Sequence, residues 1–229
     1  GEIRLHFFSS EHNEPGELEN LYSVIPTTSR YLKQYLDEVN DKVIEVLKAA
    51  GCRDGVCWVE TILDDDGHFY LLEMGYRYGG EVVNSAYRYV CGFDSISWMV
   101  DIACGIKHSA SDLPPAVTGA EKGRGTAYLF FAKRDGVIGK IEGLEEIEKL
   151  PNVLIDIPKR EGGSVRYHAS MGVIHIVAKD VEELCETIDT INKTVKFTSV
   201  DGQDMFIYFT NLEELRDEYY EGLREFGIQ

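Results

Sequence analysis

Residues Gly55–Gly80 read GVCWVETILDDDGHFYLLEMGYRYGG, two runs rich in β-branched and aromatic residues separated by an acidic turn. Asp66-Gly67 between such runs is a strong hairpin signal, because glycine supplies the positive φ a tight turn needs. The pattern predicts antiparallel strands over Val56–Leu63 and His68–Met74. With Asp66 and Gly67 as a two-residue loop, Asp65 faces His68, and equal steps outward bring Glu60 directly opposite Glu73 on one face. Cross-strand partners have Cβ atoms about 5 Å apart, where two negative charges repel by roughly 3 kcal/mol at an effective dielectric of about 20. Such a pair either lies on a solvated sheet face, the common fate of Glu in a hairpin, or holds a divalent cation. Hard carboxylate oxygens on adjacent strands suit Mg2+ or Mn2+, which phosphoryl-transfer enzymes hold with one or two carboxylates and the phosphates of a nucleotide.

Outward from the hairpin, Thr27-Thr28-Ser29 precede a stretch running to Ala50 in which Leu32, Leu36, Val39, Val43, Val46, Leu47 and Ala50 share one helical face, with Gly51 as stop. This helix is expected to pack on the hairpin. Helices are also expected over Glu81–Val90 and Ser95–Ala103. Lys107–Gly125, with Pro114-Pro115 and three glycines, reads as a linker, and the boundary between a segment 1–110 and an extension 111–229 is placed there. Beyond it, strands are expected over Thr126–Ala132, Val153–Ile157, Val165–Tyr167, Gly172–Ala178 and Met205–Phe209, and amphipathic helices over Val181–Asn192 and Leu212–Phe226. Antiparallel strands with flanking helices predict an α+β fold. Gly1–Phe8 reads as an apolar, strand-like opening without an initiator Met, as in a fragment of a longer protein.

Composition narrows the function classes. Forty acidic against 23 basic side chains leave a net charge of −17, which repels nucleic acid and anionic membranes. Neither a spanning apolar stretch nor a signal peptide is present in the 229 residues, so a cytoplasmic protein is expected. The five cysteines lack CxxC spacing and indicate neither a disulfide framework nor a zinc site. Asp64-Asp65-Asp66-Gly67 lacks the spacing and closing Glu of a calcium loop and is read as a turn. Lys122, Gly123, Arg124 and Gly125 form either a solvated linker or a mobile phosphate or substrate loop. His6, His12, His68, His108 and His175 have no partner at ligand spacing.

The run from Phe69 to Gly80, FYLLEMGYRYGG, preceded by Val59-Glu60, resembles the metal-binding hairpin of ATP-grasp enzymes, a superfamily that includes biotin carboxylase, carbamoyl phosphate synthetase and L-amino-acid ligases. Weaker similarity follows through Phe93–Gly105 and, after Gly125, through Gly143–Ile147, Leu150–Val153 and Gly163–Val173 to the C-terminal extension of amino-acid-ligase-type members. The resemblance implies the C-terminal portion of an ATP-grasp ligase. Glu60 and Glu73 would be metal ligands at the ATP site, Arg77 the catalytic cation facing an acyl phosphate, and Gly79 and Gly80 part of the anion-binding turn. Arg166 and His168 fall where related enzymes border the cleft. The implied cofactors are ATP and Mg2+, or Mn2+, and the partners are a small carboxylate, an amine or thiol acceptor and the N-terminal part of the same protein; the resemblance also allows a homodimer. One position departs from the pattern, since Gly75 stands where an Asn is usual. A degenerate, non-catalytic ATP-grasp module and an acidic α+β binding domain unrelated to ATP are the rival readings. Restoring Asn at 75 is expected to raise metal affinity or ADP formation, provided Gly75 does not need a positive φ.

Overall fold

The computed structural model describes residues 2–17, 22–78, 83–119, 121 and 123–228. Its elements, in chain order, are β1 (His12–Asn13), β2 (Tyr22–Pro26), α1 (Leu32–Glu38), α2 (Asn40–Ala49), β3 (Trp58–Leu63), β4 (Phe69–Gly75), α3 (Val83–Cys91) and α4 (Ser95–Ala103). After a short 3-10 turn at Ala110–Asp112 come β5 (Arg124–Phe131), β6 (Gly136–Glu142), α5 (Leu144–Ile147), β7 (Val153–Asp156), β8 (Ser164–Val165), β9 (Ser170–Ala178), α6 (Val181–Thr194), β10 (Lys196–Ser199) and α7 (Leu212–Glu225). The mixture of antiparallel sheets and helices is the expected α+β class.

The largest sheet is antiparallel, in the order β1-β2-β5-β9-β7. Its central strand β5 is buried almost throughout, and alternation divides its side chains between two apolar clusters. Tyr128 and Phe130 join Ile188, Ile191, Phe197 and Phe206 in the main core, while Ala127 and Leu129 meet Val173 and Phe7 in a smaller one. Both faces being covered explains why β5 reads as a continuous apolar run. β1 and β2 precede residue 110 and β5, β7 and β9 follow it, so the sheet draws strands from both sides of the linker.

Three sequence expectations change. Residues 2–11 form no strand. They are half-buried, with Leu5 O accepting from Val117 N (2.9 Å) and aromatic rings supplying contact, as Phe8 does against Tyr35 (4.9 Å). The helix expected to run to Ala50 starts at Leu32 and is divided at Val39, whose φ of −120° leaves the helical region. Met205–Phe209 is buried but not a strand: Met205 N donates to Phe197 O, Ile207 N to Phe131 O and Phe209 N to the Tyr128 hydroxyl, so no single ladder forms. β2, β6 and β10 were not anticipated as strands, whereas α4, α6 and α7 lie within two residues of their expected bounds.

The N-terminal run buries a titratable group. His6 contacts the Pro115 carbonyl (3.4 Å) and the edge of the Phe93 ring (4.9 Å), and burial, opposed only by the Pro115 contact, brings its pKa down from 6.5 to about 4. Burial lowers His175 too. The unfolded chain then takes up protons that the folded chain refuses as pH falls from 6.5 towards 4, so stability falls with pH in that window, by about 3 kcal/mol for His6. Urea denaturation at pH 7 and pH 4.5 checks this. His6→Leu is expected to flatten the slope, and an unchanged slope would exclude His6 as its source.

Candidate metal and nucleotide site

The hairpin β3–β4 carries the proposed site, and its register decides whether the two acids meet. Glu60 pairs with Glu73, Val59 with Met74 and Trp58 with Gly75. Directly paired residues of antiparallel strands project to the same face, so the carboxylates are neighbours. Glu60 is half-buried and Glu73 exposed.

The route to that register differs from the expected one. The turn is a three-residue loop, Asp65-Asp66-Gly67, in which Asp64 N donates to His68 O (3.0 Å), Gly67 N to Asp64 O (3.0 Å), and Gly67 adopts φ +83°. Asp64, not Asp65, therefore faces His68, and Leu63 pairs with Phe69. This shifts the register by one residue. A bulge between Glu60 and Thr61 on one strand and Glu73 and Leu71 on the other adds one residue and shifts it back.

Gly75 has a specific packing role. A Cβ there would collide with the Trp58 indole nitrogen and stand 3.0 Å from Cε2, while its φ is not positive. Space, not backbone conformation, excludes a side chain. Trp58 Nε1 is buried without a hydrogen-bond partner among the described residues, and the Arg77 guanidinium lies over the same ring at 5.3 Å. Arg77 is exposed, and its Nη1 donates to Tyr78 O (2.7 Å). The indole thus occupies the space an Asn side chain would need and supports the cation two residues on. The sequence register makes Trp58 the partner of Gly75, but where its indole lies is set by the folded hairpin.

This alters the expectation for Asn at position 75. Gly75→Asn alone is expected to destabilise the chain by about 1–3 kcal/mol through overpacking, and Trp58→Ala in the same chain to recover part of the loss. Denaturation midpoints of the three variants decide it; a single Gly75→Asn variant as stable as wild type would show that the indole moves freely.

Gly79 and Gly80 lie outside the described residues, as does Lys122. His168, with φ 61°, stacks on Tyr167 (3.5 Å) and meets Glu17 Oε2 (3.1 Å), contacts that do not involve the hairpin. Arg124 is no solvated linker residue: it begins β5 and is 6% exposed. Among the described residues, Asp64, Asp66 and His68 at the hairpin turn place ligand atoms within 4.8 Å of one another. Asp64 Oδ1 is already used there, accepting from His68 N (2.7 Å), which draws its carboxyl below the usual range.

The fold so described aligns with an L-amino acid ligase from Bacillus licheniformis at a TM-score of 0.71 and 19% identity, over 85% of this chain and 48% of that one. The chain has the fold of the ATP-grasp enzymes. Two further ATP-grasp structures agree: phosphoribosylglycinamide synthetase from Anaerococcus prevotii (TM-score 0.62, 14% identity, 83% of this chain and 48% of that one) and the ADP-bound biotin carboxylase domain of a thermophilic 2-oxoglutarate carboxylase (0.61, 16%, 91% and 47%). The chain thus spans about half the length of these solved structures. The sequence matches no family model and no curated protein. Among the described residues no helix is long and apolar enough to cross a membrane.

Proposed function

We propose that the chain is the metal-bearing C-terminal portion of a cytoplasmic ATP-dependent ligase that activates a carboxylate as an acyl phosphate for attack by an amine or thiol. The observation that carries this reading is the direct pairing of Glu60 with Glu73 in a chain of ATP-grasp fold. Two opposed carboxylates, one open to solvent, fit a divalent cation whose remaining positions are taken by nucleotide phosphates and water. With Gly75 filled by the Trp58 indole, the hairpin offers two protein ligands rather than three. Mg2+ bound there would neutralise phosphate charge during transfer.

The chain's own residues have simple tasks. Glu60 and Glu73 fix where the cation and so the terminal phosphate sit, and positioning together with charge is the main source of catalysis in phosphoryl transfer. Arg77, held over Trp58, is the exposed cation available to an acyl phosphate. Gly79 and Gly80 are proposed to contribute backbone N–H groups to the same anion. The hairpin also exposes Ile62 and Tyr70 on one face and Leu71 and Met74 on the other, apolar side chains that the N-terminal part of the same protein would cover in part. Segments 1–110 and 111–229 are proposed as the hairpin-bearing subdomain and its extension.

The chain itself allows a test independent of turnover. Mn2+ is expected to broaden NMR signals of the hairpin around Glu60 and Glu73, weakly without a nucleotide, and ATP is expected to tighten the binding. Broadening confined to Asp64, Asp66 and His68 would remove the assignment. The complete ligase is expected to release ADP when supplied with its acid, and the chain alone to release none.

A further inference from the structure

The hairpin face that carries the two acids is built from three successive rungs: Trp58 with Gly75, Glu60 with Glu73, and Ile62 with Tyr70. They share one side because residues alternate along β3 and directly paired residues project together. The rung nearer the turn offers a hydrocarbon and a neutral phenol, both exposed, and no carboxylate. The rung on the other side is closed. There the Trp58 indole stands where a side chain at 75 would begin, and its Nε1 is shielded from solvent and so not offered to a ligand. The acid pair is flanked on both sides by residues that do not extend it.

Two carboxylates carry two negative charges, which one divalent cation balances. Two-metal sites hold their ions about 3.5–4 Å apart, so a second ion would draw ligands from an adjoining rung, and neither adjoining rung has a carboxylate. A second positive charge stands instead on Arg77. Its guanidinium lies over the Trp58 ring (5.3 Å), and its Nη1 donates to the Tyr78 carbonyl (2.7 Å), a neutral partner. The ring that carries it is held in turn by its packing on Gly75. We infer that the hairpin holds one divalent cation, not two, and that Trp58 is the positioning residue that sets Arg77 beside it. A single phosphate chain then meets a metal ion at Glu60 and Glu73 and a guanidinium seated on the indole. This rests on the ligase reading above and names the charges of that same site.

Mn2+ bound by the chain at pH 7.5 is counted by equilibrium dialysis with and without ATP, the Glu60→Gln/Glu73→Gln double variant supplying the background of the acidic surface. The excess of wild type over that variant is expected to be one ion per chain, and ATP is expected to tighten its binding. Trp58→Leu is expected to leave the affinity for Mn2+ alone within about twofold of wild type and to lower the tightening by ATP about three- to fivefold, the size of a cation–π contact. Trp58→Phe keeps an aromatic platform and is expected to retain part of it. In an Arg77→Ala chain the Trp58→Leu change is expected to alter the tightening no further, which separates support of Arg77 from a general loosening of the hairpin. Two excess ions, an excess that ATP does not tighten, or equal effects of Trp58→Leu with and without Arg77 overturn the inference and leave the metal at the hairpin. No excess over the double variant overturns both the inference and the metal-bearing reading.

Discussion

Glu73→Gln is expected to lower the Mn2+ affinity of the chain about tenfold or more, and, under the proposed ligase function, to slow ADP release by the longer protein by about 100- to 1,000-fold, the loss typical when one charge-stabilising contact to a transition state is removed. The substitution keeps the shape, replaces one carboxylate oxygen with an amide NH2 and halves the charge the paired acids present to a cation. Its effect on the metal-free chain has the opposite sign. Like charges directly across a ladder destabilise it, so the Gln variant is expected to be slightly more stable, by about 0.2–1 kcal/mol. A solvated glutamate pair unrelated to metal would give the same small gain in stability but no change in affinity. Affinity measured by Mn2+ relaxation therefore separates the two readings, urea denaturation checks that the variant is folded, and a Glu73→Gln variant with wild-type affinity would move the metal away from the hairpin.

Glu218→Ala is expected to produce the largest loss of stability, about 3–5 kcal/mol, the range for removing one partner of a buried charged network. The Glu218 side chain on α7 is 2% exposed and receives the His12 ring and the Ser10 hydroxyl, with Arg30 N at 3.2 Å. With its proton on Glu218, Ser10 Oγ accepts from the Ser29 hydroxyl (2.7 Å). These contacts tie the N-terminal residues 10–12 and the start of α1 to a helix some 200 residues later in the chain. Burial raises the Glu218 carboxyl, but the His12 hydrogen bond and charge, with Ser10 and Arg30, more than offset it and leave the pKa below its ordinary 4.5. The stabilisation is accordingly present above pH 4.5 and lost as pH falls through the folded pKa. Thermal unfolding at pH 7 should show Glu218→Ala melting about 6–20 °C lower. The deficit should shrink towards pH 3; a constant deficit would assign the loss to packing alone.

Local signals carried much of the fold. α4, α6 and α7 were legible because their apolar periodicity agrees with acidic first turns or capping residues and, for α4 and α7, with the glycines that follow them; Asp94 accepts from Ser97 N and Asp180 from Glu183 N, caps that sit where the sequence starts the helices. The hairpin was legible for the same reason, from the acidic turn and the strand runs around it. The pairing of Glu60 with Glu73 followed from counting, although the count rested on a two-residue loop. The pairing holds because the extra turn residue and the bulge near Leu71–Glu73 cancel.

What short-range patterns could not supply was the outcome of contacts between distant segments. Residues 2–8 and Met205–Phe209 are as apolar as strands, yet their backbone groups find scattered partners, and only the folded chain decides which carbonyl each N–H meets. The same holds at Gly75, where the family pattern suggests an absent ligand and the structure shows an indole filling the space. Arg124 reads as one more charge in a glycine-rich linker, and Glu218 as one acid among many on α7. Tertiary packing buries both, and burial makes an unpaired guanidinium costly and a hydrogen-bonded carboxylate structural. The sequence by itself determined α4, α6 and α7, the hairpin and its paired acids, because periodicity and turn chemistry act over a few residues. The tertiary structure decided which charges are buried and what they touch, because desolvation depends on the whole of the surrounding chain.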